Sequence, residues 1–329
     1  MCTALTFKTN DFYFGRSLDL DFSYGEEIIV TPRNYPFRFS DKCVISTHYA
    51  FIGTALEAEG YPLYYDAVNE KGLCAAGLNF SDEAQYNEPV TNKDNIAAFE
   101  FIPWILCNCA DLKEARAFIE KMNFTNTAFS EKLPPALLHW IISDKSGSIT
   151  VESVKDGLKV YDNPVGVLTN SPDFEKQMHN LSNYMSLSAQ PPQNTFSKAI
   201  ELKAYSRGMG AIGLPGDLSS QSRFVRAAFV KLNSVCEAGE EQSVSQFFHI
   251  LGSVDNQRGC CRLDNDKYEI TVYSCCFNAD RGIYYYHTYD NHRICAVDMR
   301  EENLDSYELI RYPMINHEQI YYQNKEITR

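Results

Sequence analysis

Strand-prone runs crowd both ends of this chain while helical periodicity is confined to its middle, a distribution that an all-helical bundle or a regular strand–helix alternation does not produce. At the start, Thr3-Ala4-Leu5-Thr6-Phe7 is β-prone, Thr9-Asn10-Asp11 is a turn cluster, and Phe12-Tyr13-Phe14 resumes the strand, so a hairpin is expected. Further strands are predicted at 28–32, 44–53, 72–80, 149–153 and 157–161, the last two joined by a Lys155-Asp156-Gly157 turn. A late set at 268–276, 282–289 and 292–299 completes a sheet-rich C-terminal third. The 21 Tyr and 20 Phe residues favour sheets over a bundle, and most of these rings would fill the core. Between the ends, 97–109 is almost wholly apolar and reads as a buried helix. Asp111 suits the N-cap of a helix that carries Leu112, Ala115, Phe118 and Ile119 on one face. Two more helices fit 222–235, with Phe224, Ala227, Ala228 and Leu232 aligned, and 243–251 behind Ser243. The class is therefore α+β, with helices packed outside antiparallel sheets. The Ser-, Gly-, Pro- and Gln-rich segment 186–221 reads as a long excursion, and with no internal repeat the whole of 1–329 is expected to form one domain.

Charge excludes some partners. A formal net charge of −13 without a basic block argues against nucleic acid, although a few arginines could still make a cleft locally positive. No apolar run of about 18 residues is present, and the first residues lack the charged and apolar regions of a secretory signal, so no membrane contact is expected and the cytoplasm is the expected location. The eleven cysteines form no CxxC pair, and Cys107/Cys109, Cys260/Cys261 and Cys275/Cys276 stand too close for ordinary zinc spacing. They read as reduced and mostly buried thiols, and no metal or organic cofactor is called for.

One cysteine stands apart by position. Eleven in 329 would put one at position 2 about one time in thirty, so Cys2 could be an incidental strand residue. Its chemistry points elsewhere. Removal of Met1 would expose a small residue that carries a nucleophilic thiol and an α-amine titrating near ~7.7–8.0, which can take the thiol proton. Gly15-Arg16-Ser17-Leu18-Asp19 lies one hairpin away, where a returning strand could set Arg16 and Asp19 beside Cys2. Arginine would favour the thiolate and aspartate would fix the amine, although a surface ion pair is the commoner fate of such residues.

Met1-Cys2-Thr3 followed by Phe14-Gly15-Arg16 and Asp19 resembles the choloylglycine hydrolases, which comprise conjugated bile salt hydrolases and penicillin V acylases. The resemblance continues in Asn69-Glu70-Lys71-Gly72-Leu73, Ala76-Gly77-Leu78-Asn79-Phe80, Leu138-His139-Trp140, Val167-Leu168-Thr169-Asn170-Ser171-Pro172, Gly213-Leu214-Pro215-Gly216-Asp217 and Ser222-Arg223-Phe224. It spans essentially the whole chain, in the family's order. It implies the four-layer αββα sandwich of the N-terminal nucleophile hydrolases, with two antiparallel sheets between helical layers. It further implies that Cys2 is the nucleophile, that Arg16, Asp19 and Arg223 are the charged residues around it, and that the oxyanion donors are the Asn170 side chain and the Asn79 backbone N–H. Read alone, Asn79 could be a strand-end turn residue and Asn170 a cap or Asx turn. Arg226, one turn beyond Arg223, reads as a solvated helix charge.

The implied reaction is cleavage of the amide of glycine- or taurine-conjugated bile salts, releasing free bile acid and amino acid. An apolar wall for the steroid is expected from Leu18, Tyr24, Tyr65, Phe129 and Leu133, and segment 186–221 resembles the family's tetramer contacts, so a homotetramer is expected. Asn79 and the loop Asp19–Gly25 resemble the bile-salt branch, since penicillin V acylases often carry tyrosine at the position of Asn79. Penicillin V acylase remains the alternative enzyme, and a non-catalytic binder of bile salts is the alternative if Met1 is retained.

Overall fold

The turn at Thr9-Asn10-Asp11 folds the N-terminus as its composition predicts. Strand β1 (Cys2–Lys8) pairs antiparallel with β2 (Phe12–Leu20), Cys2 opposite Leu18 and Lys8 opposite Phe12. This hairpin is seen in a computed structural model that describes residues 1–40 and 43–324. The chain continues through β3 (Glu27–Thr31), the short pair β4 (Phe37–Arg38) and β5 (Val44–Ile45), then β6 (Phe51–Ala58), β7 (Tyr61–Asn69) and β8 (Cys74–Asn79). Strand β9 (Asp94–Ala97) leads into helices α1 (Phe101–Asn108) and α2 (Leu112–Ile119), followed by β10 (Met122–Thr125). Strands β11 (Leu138–Asp144), β12 (Gly147–Val154), β13 (Gly157–Asp162) and β14 (Val167–Leu168) precede helices α3 (Phe174–Leu181), α4 (Ser220–Asn233) and α5 (Glu240–Gly252). The chain closes with β15 (Ile270–Asn278), β16 (Ile283–Thr288), β17 (Asn291–Asp298) and β18 (Ile310–Pro313).

Two large antiparallel sheets result, one ordered β14-β1-β2-β15-β16-β17 and the other β13-β12-β11-β8-β7-β6-β3-β18. Alternation along the second sheet assigns its faces. Val30, Ile52, Val68, Ala76, Leu78 and Ile141 join a core with Ala4, Phe14 and Phe277 of the first sheet, while Ile29, Phe51, Ala67, Ala75, Trp140 and Ile142 join Phe101, Ile105, Ala115 and Ile119 of α1 and α2. The first sheet is covered on its far side by Phe224, Ala227 and Ala228 of α4 and Phe247, Ile250 and Leu251 of α5. The layers therefore run helix, sheet, sheet, helix. Strand β2 is buried on both faces, and Gly15 lets β15 approach, because a Cβ there would lie 2.0 Å from the Cys275 carbonyl oxygen.

Several local expectations are met: Asp111 caps α2 by accepting the Glu114 N–H, and the Lys155–Gly157 turn joins β12 to β13. Others shift. The run 44–53 is two separate strands, the second extending to Ala58. Helix α5 starts behind Gly239 with Glu240 and Glu241 in its first turn, where carboxylates suit the helix dipole. Ser243 is thus no cap; it is buried, with its hydroxyl 2.8 Å from Thr9 Oγ1. Strands β7 and β11 and helix α3 were not apparent from sequence. Asp66 interrupts the apolar pattern of β7, and burial of that carboxylate is offset by Tyr273 Oη and Thr54 N–H, groups distant in the chain.

Candidate active site

Cys2 opens β1, and the ladder dictates what surrounds it. Cys2, Ala4, Arg16 and Leu18 share one face of the hairpin, directed at the second sheet; Thr3, Ser17 and Asp19 share the opposite face, directed at α4. Arg16 and Asp19 flank the cysteine as expected, but from opposite sides of the sheet. Neither forms a surface ion pair, for both are fully buried.

Arg16 spans the gap between the sheets. Strands β7 and β8 pair from Val68↔Cys74 to Asp66↔Ala76 and then part, and Arg16 Nη1 bonds the two carbonyls left open there, Gly77 O at 2.8 Å and Tyr65 O at 3.3 Å. Its Nε donates to Ser17 O at 3.1 Å, and its Nη2 is buried without a partner among the described residues. Burial works against this cation, but nearby Cys2, Tyr273, Asp66 and Cys275 outweigh it and hold the guanidinium above its ordinary range.

On the other face, Asp19 accepts Thr271 Oγ1–H at 2.7 Å and the longer Ser17 Oγ–H at 3.4 Å. Burial raises its carboxyl, opposed in order by Arg223, the Met1 ammonium, the Thr271 bond and Arg16. Arg223, in the first turns of α4, donates through Nη1 to Cys2 O at 2.5 Å and Thr3 Oγ1 at 2.7 Å, and through Nη2 to Asn170 Oδ1 at 2.7 Å. Burial pulls Arg223 down, against the attraction of Asp19 and Cys2. Arg226 faces elsewhere, but it is not a free solvated charge: it bonds Ser253 O, Pro215 O and Asp217 O.

Asn170 joins the cluster from the far side. Its Oδ1 accepts the Cys2 N–H at 2.8 Å and its Nδ2 donates to Asn79 O at 2.8 Å. An amide nitrogen carries two hydrogens, so one remains for a ligand. The position of Asn79 in β8 leaves its backbone N–H unengaged by β11. Phe80 N–H bonds Leu137 O, and Leu138 N–H turns to Tyr86 Oη, which makes Asn79↔Leu138 a non-hydrogen-bonded pair whose Asn79 N–H faces away from β11. Asn170 thus does more than cap or turn the chain, while Asn79 ends β8 just before the turn that begins at Phe80.

Met1 continues the ladder beyond Cys2. Its ammonium donates to Asp19 O at 2.7 Å and pairs with Glu269, and the adjoining Cys2 is 4% exposed. Glu269, Thr271 and the clamps on Asn170 (Ser220 Oγ on its N–H, Gln177 Nε2 on its carbonyl) carried no sequence signal, because they come from three separate segments.

The expected wall divides into two groups. Leu18 is buried opposite Cys2; Tyr65 lies near Cys2, Arg16 and Tyr24, and burial, followed by Glu26, Tyr24 and Cys2, raises its phenol against the opposing pull of Arg16; Tyr24 is half exposed and packs on Phe22. Phe129 and Leu133 belong to loop 126–137, with the Phe129 ring on Tyr61 and Phe99 and Leu133 bridged to Ser130.

A cysteine at the head of an inner strand of an αββα sandwich fits the fold of the N-terminal nucleophile hydrolases. The description "Linear amide C-N hydrolases, choloylglycine hydrolase family" matches residues 2–312, and the chain belongs to that family. It is 54% identical over 324 residues to the bile salt hydrolase/transferase of Lactiplantibacillus plantarum, covering 98% of this chain and 100% of that one. The bile salt hydrolase/transferase of Clostridium perfringens is 39% identical over 95% of this chain and 96% of its own. A crystal structure of a mutant conjugated bile acid hydrolase from Clostridium perfringens superposes with a TM-score of 0.91 at 37% identity, covering 98% of this chain and all of the other. Penicillin V acylase from Agrobacterium tumefaciens shares the fold, with a TM-score of 0.75 at 20% identity over 94% of this chain and 90% of that one.

Proposed function

We propose that this enzyme, once Met1 is removed, hydrolyses the amide bond of glycine- or taurine-conjugated bile salts with Cys2 as nucleophile. The observation that carries the proposal is the Asn170 side chain, which holds the Cys2 nitrogen with Oδ1 while its Nδ2 stands beside Asn79. The freed α-amine takes the thiol proton, and sulfur attacks the amide carbonyl. Negative charge on the carbonyl oxygen meets the Asn79 N–H and the remaining Asn170 N–H, donors typically worth about 100–1000-fold each in rate. The α-ammonium protonates the leaving nitrogen of glycine or taurine and the C–N bond breaks, leaving a thioester. Water, deprotonated by the amine, cleaves the thioester to release free bile acid. Arg16, Asp19 and Arg223 hold the chain around the nucleophile throughout.

Leu18 and Tyr65 beside the nucleophile, with Tyr24 at the rim, offer a wall for the steroid, and Phe129 and Leu133 would complete it from the 126–137 loop. The exposed Met185, Phe196 and Tyr205 in and beside the 186–221 excursion suit an interface between copies, which supports a homotetramer of single-domain subunits. The location proposed is the cytoplasm. Among the described residues no helix is long and apolar enough to cross a membrane.

The deciding assay compares glycocholate, taurocholate and penicillin V side by side. Bile-salt kcat/KM should exceed that for penicillin V by at least about tenfold, or roughly 1.4 kcal/mol of transition-state binding. Equal or greater efficiency on penicillin V would move the chain to the acylase branch. Cys2→Ala should abolish turnover in either case; if it does not, Cys2 is not the nucleophile. With Met1 retained, Glu269 and Asp19 grip the terminal amine, and the same chain would bind amphipathic acids without cleaving them.

A further inference from the structure

Three groups meet behind the oxyanion site and belong to none of the roles above. His139 lies on β11, completely buried, opposite Leu78 of β8. Its ring stacks on Phe80, the residue after Asn79, with centroids 4.2 Å apart and planes 6° from parallel. Its Nε2 lies 2.9 Å from the carbonyl oxygen of Thr169, the residue before Asn170, and its Nδ1 lies 3.0 Å from Glu152 Oε1. One side chain thus touches the neighbours of both oxyanion donors.

The hydrogen-bond chemistry sharpens the point. A carbonyl only accepts, so Nε2 carries a hydrogen and donates it to Thr169 O. That oxygen belongs to the same peptide unit as the Asn170 N–H, which donates to Ser220 Oγ at 2.9 Å. The plane between Thr169 and Asn170 is therefore pinned at both edges, and with it the direction in which the Asn170 side chain leaves the backbone. Glu152 fixes the other edge of the ring, and its Oε1 also accepts the Phe174 N–H at 3.0 Å where α3 begins. Glu152 Oε2 is buried with no partner among the described residues. A buried His–Glu pair of this kind is often no more stabilising than apolar residues of similar size, which leaves geometric definition as its contribution.

We infer that His139 is a positioning residue for the oxyanion site, aligning the Asn170 amide through the Thr169 carbonyl and the Asn79 N–H through Phe80. The inference rests on the amidohydrolase reading. Two isosteric replacements separate the ring's two edges. The amide of His139→Gln reaches the place of Nε2 and can still donate to Thr169 O, whereas that of His139→Asn reaches only the place of Nδ1 and leaves Thr169 O unmet.

The test measures kcat and KM on a conjugated bile salt for the parent and both variants, alongside alkylation of Cys2 by iodoacetamide, followed on the N-terminal peptide by mass spectrometry. Alkylation displaces iodide at carbon and forms no oxyanion, so it reports on the thiol alone. In His139→Asn, kcat should fall about 30-fold or more, the scale of one misaimed oxyanion donor, with KM and alkylation changed less than about threefold. His139→Gln should stay within about tenfold of the parent on the same scale. Equal kcat in the two variants, or parental kcat in His139→Asn, would overturn the inference, as would a loss matched by slower alkylation. If either variant fails to fold, Ser220→Ala, which releases the other edge of the same peptide, must show the kcat-only loss or the inference fails. A parent chain with no turnover would instead refute the amidohydrolase reading, and this inference with it.

Discussion

Met1 and Asp19 exchange backbone hydrogen bonds, the Met1 amine donating to Asp19 O at 2.7 Å and Asp19 N–H donating to Met1 O at 2.9 Å. Met1 therefore extends the β1–β2 ladder by one residue beyond the Cys2↔Leu18 pair.

Activity should track the fraction of chains that have lost Met1. An acylated Cys2 nitrogen has no available lone pair to act as base. Intact-mass spectra of preparations with graded processing, each assayed for turnover, provide the measurement; full activity in a preparation that retains Met1 would refute the mechanism.

Arg16→Lys should damage both stability and turnover. A single ammonium cannot serve Ser17 O, Tyr65 O and Gly77 O together, and bonds made by charged donors run about 1.5–3 kcal/mol each, so a loss of about 3 kcal/mol or more is expected. Denaturant unfolding measures the first effect and steady-state turnover the second. A lysine variant with parental stability would mean that the bridge between the sheets is dispensable.

Asp255 should make stability fall as pH rises. It lines a cavity of about 300 Å3 with Asn256, Thr271, His287 and His292, and burial, reinforced by Asp19 and opposed by His292, pushes its carboxyl up to about 7. The unfolded carboxyl ionises near ~3.9. Between those values the unfolded chain releases a proton that the folded chain keeps, so the contribution of Asp255 is fully present below about pH 4 and is lost as pH climbs through 7. Asp255→Asn should flatten this part of the profile and gain on the parent above pH 7. Urea midpoints at pH 4.5, 6 and 8 test this, and parallel curves for the two proteins would contradict it.

Asn79→Tyr should reduce the preference for bile salts over penicillin V mainly by harming bile-salt turnover. The Asn79 side chain is exposed, so the substitution spares the core, and the backbone N–H survives it. Tyrosine narrows the space beside Cys2 and removes an amide that can both donate and accept toward a polar leaving group. The ratio of kcat/KM values is the readout, and an unchanged ratio would show that Asn79 does not set substrate class.

Much of this enzyme was decided within short stretches of sequence. The first hairpin, the Asp111 cap, the β12–β13 turn and the class α+β follow from local preference and periodicity, which act between near neighbours. The position of Cys2 is likewise a property of the chain, as is the proximity of Arg16 and Asp19 across one tight turn. Tertiary structure decided which face each of them occupies in use, because both faces of β2 are buried and only the layer opposite distinguishes them. It also made β7 a strand despite Asp66, since the Tyr273 hydroxyl that satisfies the carboxylate lies 207 residues away. The clamps on Asn170 come from α3, α4 and, through Thr169, from β11, none adjacent to it in sequence. Such contacts arise only when two sheets pack face to face, and hydrogen bonds between distant segments leave no periodic trace in the chain that makes them.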